Sequence, residues 1–320
     1  MKKWLKISLK VVLIILVVVI ALSITYILIN SNKFADYFVY NLIEERYAEY
    51  ENDPESGRGN LDEFGLTDVE EVILTTSDSL NLEALYFPSQ NGATIILVHG
   101  FKSGRFNDHS LIPTSILVKN GYGVIYPMRR AHGHSDGEIV TFGKNEIFDL
   151  EAAYQFLINK PEVNVEKIGL LGQSMGAAIS IIYASKNYEI KAIIAEDPYD
   201  SYDNTIGTSV EHYTGLPAFP FANIIKFFAE RKLDLKLEDY DPVKYIAQIS
   251  PRPVFILSGG EDATVNSSGG KNLFQAAGNP VEYWYESEYD HGGFRYEGVE
   301  KYEKRIIEFF DKYLLEEDTN

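Results

Sequence analysis

The sequence predicts an α/β protein, with a mainly parallel sheet covered by helices on both faces and a membrane-crossing helix in front of it. Three observations predict it. From about Thr67 onward, apolar runs of four to six residues alternate with helical patterns, as in a parallel sheet buried on both sides. Near the middle of the chain, Gly172-Gln173-Ser174-Met175-Gly176 joins such a run, Lys167–Leu171, to a helical stretch. At the front, Val11 to Ile29 is uncharged and almost wholly apolar.

That front run, as a helix, spans ~28 Å, about the hydrocarbon core of a bilayer. Lys2, Lys3, Lys6 and Lys10 precede it; Lys33 is the only base close behind, and Asp36, Glu44 and Glu45 follow. The positive-inside rule puts the N-terminus in the cytoplasm and the rest of the chain outside. A cleaved signal peptide is the other reading, but its apolar region is usually shorter and no A-x-A-like site follows. The expectation is an uncleaved single-pass anchor over residues 1–32 in the cell membrane, with an extracytoplasmic domain. Residues 33–66 read as stalk and linker: Phe34, Phe38, Leu42 and Tyr47 keep roughly helical spacing up to Tyr50, and Glu51–Asn60 is polar and rich in turn formers.

The domain over residues 67–320 then unrolls in order. Glu71–Thr76 and Leu82–Phe87 form a hairpin around Ser77-Asp78-Ser79, and Thr94–Val98 is a buried strand. Helix Ser110–Asn120, strand Gly123–Tyr126, helix Glu146–Asn159, strand Lys167–Leu171, helix Met175–Lys186 and strand Lys191–Ala195 follow. Strand Val254–Ser258, a helix near Lys271–Ala277, strand Val281–Tyr285 and a long helix Tyr296–Leu315 close the chain. Between Asp197 and Pro253 no strand pattern occurs; Ser201–Tyr213 and Phe221–Arg231 look helical and flank the proline-broken Leu216–Phe221. An insertion this long, at about 199–245, reads as a small helical lid over a ligand crevice.

Composition bounds the function. A chain of 320 residues, 45% of them hydrophobic, supports a full core. It has no cysteine, which excludes disulfides, thiolate catalysis and cysteine-bound zinc. The net charge is −18; residues 1–35 hold five Lys and no acid, so the remainder carries 24 bases against 47 acids. Such a surface repels phosphate backbones, so nucleic acid is not an expected partner.

The chemistry centres on the Gly-x-Ser-x-Gly pentapeptide. A strand feeding a helix through so tight a turn holds its apex, Ser174, at a strained backbone position. Gly172 and Gly176 flank it because a Cβ there would strike the neighbouring strand or helix. The Met175 N–H, at the helix N-terminus, can serve an oxyanion. A serine needs a base, and the base needs a carboxylate. His291 (in Asp290-His291-Gly292-Gly293) follows the last strand, and Asp262 (in Gly259-Gly260-Glu261-Asp262) follows the one before it. Both fall at carboxyl ends of strands, the edge Ser174 occupies. Asp197 and Asp200, after an earlier strand, are alternative acids. His99-Gly100-Phe101 follows Thr94–Val98, and the Phe101 N–H suits a second oxyanion donor while His99 holds the loop.

On these segments the chain resembles the α/β-hydrolase superfamily over about residues 70–315. His99-Gly100-Phe101, the Ser174 elbow, the Gly259–Val265 acid loop and the Asp290–Gly293 loop carry the resemblance. Arg130-Ala131-His132-Gly133-His134-Ser135-Asp136-Gly137 is similar to the R-G-H-G-x-S-x-G loop of the Bem46-like, serine-aminopeptidase-like and lysophospholipase-like branches, with Ala131 in place of the first glycine. The resemblance implies a metal-independent, cofactor-free serine hydrolase cleaving esters, amides or peptides through an acyl-enzyme on Ser174. It also implies a structural role for the loop holding His132 and His134. His109 and His212 read as surface or lid residues. The expected substrate is a small ester, a lipid-like molecule or a peptide, with Tyr199, Tyr202, Tyr213, Phe219 and Phe221 as candidate pocket residues. A peptidase would need an acid for the substrate amine, such as Glu196, Glu211 or Asp200. Acyl transfer and a catalytically silent scaffold are the further alternatives.

Overall fold

The computed structural model describes residues 2–41, 61–103 and 108–316. The expected linker Glu51–Asn60 and the far end of the expected stalk helix lie outside the described residues.

Helix α1 runs without a break from Lys2 to Val39. Strands β1 (Glu70–Thr75), β2 (Asn81–Phe87) and β3 (Thr94–Val98) follow. Helix α2 (Asp108–Lys119), β4 (Gly123–Pro127) and α3 (Glu146–Ile158) come next. Then come β5 (Ile168–Gln173), α4 (Met175–Lys186) and β6 (Ala192–Glu196). The lid supplies α5 (Tyr202–Thr214) and α6 (Ala218–Leu233). The chain closes with β7 (Val254–Gly259), α7 (Ser268–Ala276), β8 (Val281–Glu286) and α8 (Val299–Phe310). The expected last helix, Tyr296–Leu315, is divided: Gly293–Arg295 makes a 3-10 turn before Gly298, and a π-turn over Asp311–Leu315 ends it.

The eight strands form one sheet in the order β1-β2-β4-β3-β5-β6-β7-β8. β1 pairs antiparallel with β2, and β2 with β4; every other neighbour is parallel. Strands β3, β5, β6 and β7 are buried along their whole length, which is why they read as unbroken apolar runs. One apolar layer, with α3, α4 and α7, covers one face of the sheet; the other, with α2 and α8, covers the opposite face. Because β3, β5, β6, β7 and β8 run the same way, the loops after all five open on one edge, where ligands of open α/β sheets bind.

α1 has two parts. Val11 to Ile29 is exposed, as in Leu22 at 65% and Ile29 at 63%. From Ile27 a buried stripe begins at i, i+4 spacing: Ser31, Ala35 and Val39 are fully buried. They pack on lid residues Val210, Phe221, Ile225 and Ala229. An Asp36–Lys232 ion pair (2.8 Å) and a bond from Val140 N–H to Val39 O (2.8 Å) fasten the same segment to the domain. Burying Val39 alone stabilises this docking by about 1.5–3 kcal/mol.

Candidate active site

Ser174 stands at φ 54°, ψ −121°, between the last residue of β5 and the first of α4. No L-residue rests there without strain, at a cost of about 1–3 kcal/mol. The elbow is pinned by the Ser174 N–H donating to Glu196 O on β6 (2.8 Å). The flanking glycines are sterically required: a Cβ on Gly176 would lie 2.1 Å from Val98 O, and one on Gly172 2.5 Å from Ser180 Oγ. The turn after β3 reaches the elbow, since a Cβ on Gly100 would lie 3.4 Å from Ser174 Cβ. Phe101, Ser174 and Met175 border one cavity.

Across the rim, His291 Nδ1 donates to Asp262 Oδ2 at 2.6 Å. Asp262 is shaped for this role. Its Oδ1 accepts the N–H groups of Thr264 and Val265, both at 2.8 Å, which aims Oδ2 at the imidazole. Burial opposes the charged imidazole most strongly. The Asp262 bond and charge, with the charge of Asp197, outweigh it and raise the His291 pKa above its ordinary value. No described residue bonds His291 Nε2, and Ser174 Oγ carries no hydrogen bond to it; this contact commonly tightens only when substrate binds.

The alternative acids are occupied elsewhere. Asp197 lies beside the pair, with carboxylate and ring atoms of Asp197, Asp262 and His291 within 4.8 Å of one another. Its oxygens accept from Gly259 N–H (3.0 Å) and Gly292 N–H (2.7 Å), so it fastens the acid and histidine loops together. Burial raises its pKa. Asp200 bonds Asn204 and Asn272. Asp290 Oδ1 caps Ala263 N–H and His291 N–H and shapes the loop.

A brace below the Phe101 turn is the part the sequence conveyed least. His99 is fully buried; its Nδ1 donates to Gly100 O (2.8 Å) and its Nε2 accepts from Arg129 N–H (3.0 Å). The Arg129 side chain reaches His99 O (2.7 Å) and Gly100 O (3.0 Å). Burial and the Arg129 charge push the His99 pKa well down. His132 repeats the pattern, its Nδ1 to Arg130 O (2.8 Å) and its Nε2 accepting from Lys102 N–H (3.0 Å). Arg130 is held by Asp78 (2.7 Å) and Asp149 (2.8 Å). Ala131 sits at φ 59°, where a glycine would be free of the roughly 1–2 kcal/mol left-handed penalty. His109 lies edge-on to Tyr296, where burial lowers its pKa to about 4.

The cavity encloses about 680 Å³, its open mouth included. Tyr199, Tyr202, Tyr213, Phe142 and Leu237 border it, and among the described residues no charged side chain does. The hydroxyls of Tyr199 and Tyr202 bond each other, and that of Tyr202 also meets Phe142 O, so both rings offer apolar faces. Of the other two aromatic candidates, Phe219 is 84% exposed and Phe221 packs toward α1. None of the three candidate amine-binding acids borders the cavity: Glu196 is tied to Tyr302 and Arg295, and Glu211 caps Ala218 N–H. Sequence reasoning missed Phe38. The end of α1 puts it in the cavity wall, stacked on Phe101 with ring centres 6.1 Å apart. Its helical spacing with Phe34 was the available signal.

An eight-stranded sheet of this order, with a strained serine elbow and a carboxylate-held histidine on one edge, defines an α/β-hydrolase architecture. Known proteins agree. The alpha/beta hydrolase fold family model matches residues 93–224. The uncharacterized protein YqkD of Bacillus subtilis is 26% identical over 226 residues, 70% of this chain and 73% of its own. The Pyrococcus furiosus esterase Pf2001 superposes with a TM-score of 0.68 at 27% identity, covering 79% of this chain and 94% of its own. A thiohydrolase of Aspergillus aculeatus, aneE, is 24% identical over 74% of this chain and 92% of its own. The chain has the α/β-hydrolase fold, and the proteins it is similar to point to a hydrolase of that fold.

Proposed function

We propose that the protein is a membrane-anchored serine hydrolase of carboxylic esters, working through an acyl-enzyme on Ser174. The observation that carries this reading is His291: Nδ1 is held by Asp262, no described residue engages Nε2, and the strained Ser174 elbow shares its sheet edge. His291 takes the Ser174 proton as Oγ attacks the ester carbonyl. The Met175 and Phe101 N–H groups stabilise the oxyanion, and His291 returns the proton to the departing alcohol. Water, activated by the same histidine, then releases the acid. Arg129, His99 and His132 are positioning residues for the Phe101 turn.

Ester chemistry is favoured over peptidase chemistry because none of the described residues bordering the cavity is an acid that could meet a substrate amine. The esterase name of the Pyrococcus furiosus neighbour points the same way. The loop over Arg130–Gly137 supports a place near the Bem46-like branch.

On this reading α1 is an uncleaved anchor with its N-terminus cytoplasmic and the domain outside. The 30 residues Lys10–Val39 have the length and apolarity to cross a membrane. Cleavage behind the apolar run would cut the helix that supplies Phe38 to the cavity. The test is fluorophosphonate labelling of the full chain with peptide mapping, followed by p-nitrophenyl esters beside aminoacyl anilides. Labelling at Ser174 and ester preference are expected; absence of labelling, or preference for the anilides, overturns the reading.

A further inference from the structure

The membrane span and the wall of the catalytic cavity are one rigid helix. α1 continues from the apolar run Val11–Ile29 to Val39 without interruption, and Phe38 lines the cavity with Ser174. From Ile29 to Phe38 is nine residues, a rise of ~14 Å. The headgroup layer on each side of a bilayer takes up roughly 5–8 Å of that. The cavity wall therefore stands just beyond the headgroups. Its position is fixed, because Ser31, Ala35 and Val39 are buried against the lid and Asp36 pairs with Lys232.

The lid lies against the same helix. The cluster it forms with α1 includes Ile27, inside the apolar run, so that packing overlaps the outer end of the hydrocarbon-length segment. Phe219, two residues before the α1-packed Phe221, is 84% exposed, and Phe227 is 52% exposed. Large exposed aromatic side chains are at home in a membrane interface. The cavity behind them has an apolar, uncharged lining. A water-soluble ester would need neither a membrane-spanning wall nor exposed lid aromatics.

We infer that the substrate is an acyl ester resident in the bilayer, taken into the cavity along α1 without passing through water. This rests on the serine-hydrolase reading. Ser174 Oγ forms a bond to the acyl carbon, the ester C–O bond breaks, and the alcohol leaves with the proton from His291. Water then bonds through its oxygen to the acyl carbon as the acyl–Ser174 Oγ bond breaks; His291 takes the water's proton and returns it to Ser174 Oγ, and the fatty acid goes back to the membrane.

The experiment uses the full chain reconstituted in phosphatidylcholine vesicles. A fluorogenic diacylglycerol that does not exchange between vesicles is placed either in the same vesicles or in a second population, and p-nitrophenyl acetate is the water-soluble control. Hydrolysis of the lipid at least ~10-fold faster in shared vesicles, with acetate turnover equal in both arrangements, is the expected result. Equal lipid rates in the two arrangements overturn the inference, as does acetate turnover with an untouched lipid in both. If neither substrate turns over and Ser174 does not label, the serine-hydrolase reading itself fails and takes this one with it. Phe38→Ala is expected to reduce lipid turnover at least ~10-fold more than acetate turnover; equal losses mean that Phe38 only supports the fold.

Discussion

Two histidine settings flank the Ser174 elbow, and they differ at one nitrogen. In His99 and His132, Nδ1 donates to a carbonyl and Nε2 accepts a backbone N–H, so both rings are neutral struts with no free valence. In His291, Nδ1 donates to Asp262 and no described residue engages Nε2. Burial with a nearby cation pushes His99 down, whereas two carboxylates raise His291 against burial. On the proposed reading, a histidine near Ser174 serves as its base only where one nitrogen is held and the other left open.

The sharpest way to break this contrast is to remove each side in turn. Ser174→Ala and His291→Ala are each expected to reduce kcat by roughly 10⁴-fold or more with folding intact, because the members of such a relay act as a unit. His132→Ala removes the acceptor for Lys102 N–H and the bond to Arg130 O, and should cost about 10- to 100-fold through a loosened oxyanion turn. Ester turnover with circular dichroism checks all three. A His132 loss as large as the His291 loss would erase the distinction.

The two carboxylates beside His291 sharpen it further. Asp262→Asn is expected to lower kcat by about 10³- to 10⁴-fold, because the imidazole loses the partner that sets its tautomer. Asp197→Asn should cost only about 10-fold, since Asp197 braces Gly259 and Gly292 and acts on His291 through its charge alone. Steady-state kinetics on one ester ranks them, and the reverse order would make Asp197 the acid of the relay.

The places of Ser174, Asp262 and His291 in the fold were legible because each punctuates an apolar run, and periodicity places such runs on one sheet; their proposed roles rest on the geometry. The sequence favoured Asp262 with Asp197 and Asp200 as alternatives, and the structure adds what side-chain aim leaves untraced in sequence, the 2.6 Å bond from His291 to Asp262. The brace was half legible: the Arg130–Gly137 segment stood out, but Arg129 reaches His99 O and Gly100 O from thirty residues away, a contact with no local pattern. The end of α1 was harder still. Phe34 and Phe38 have the spacing of any amphipathic helix, and the face they cover belongs to a lid almost two hundred residues later. Helix ends moved by a few residues where capping decides, as at Gly298 before α8.

The smallest expected effect is the pH response of His291, and it bears on activity and stability in opposite senses. The base works only when neutral. Because the Asp262 bond and charge and the Asp197 charge outweigh burial, kcat/KM should rise with pH and reach half its plateau above the ordinary imidazole value of 6.5. For stability, a raised folded-state pKa means that folding favours the protonated ring. That contribution is complete below the unfolded-state pKa and fades as pH climbs through the folded-state value. Activity should therefore increase over the range in which this part of the stability is given up. A kcat/KM profile and a series of Tm values from pH 5 to 9 measure both limbs on the same protein. In Asp262→Asn the acid limb should move to lower pH and the matching slope in Tm should shrink. An acid limb that stays in place in that variant would mean that the titrating group is not the histidine Asp262 holds.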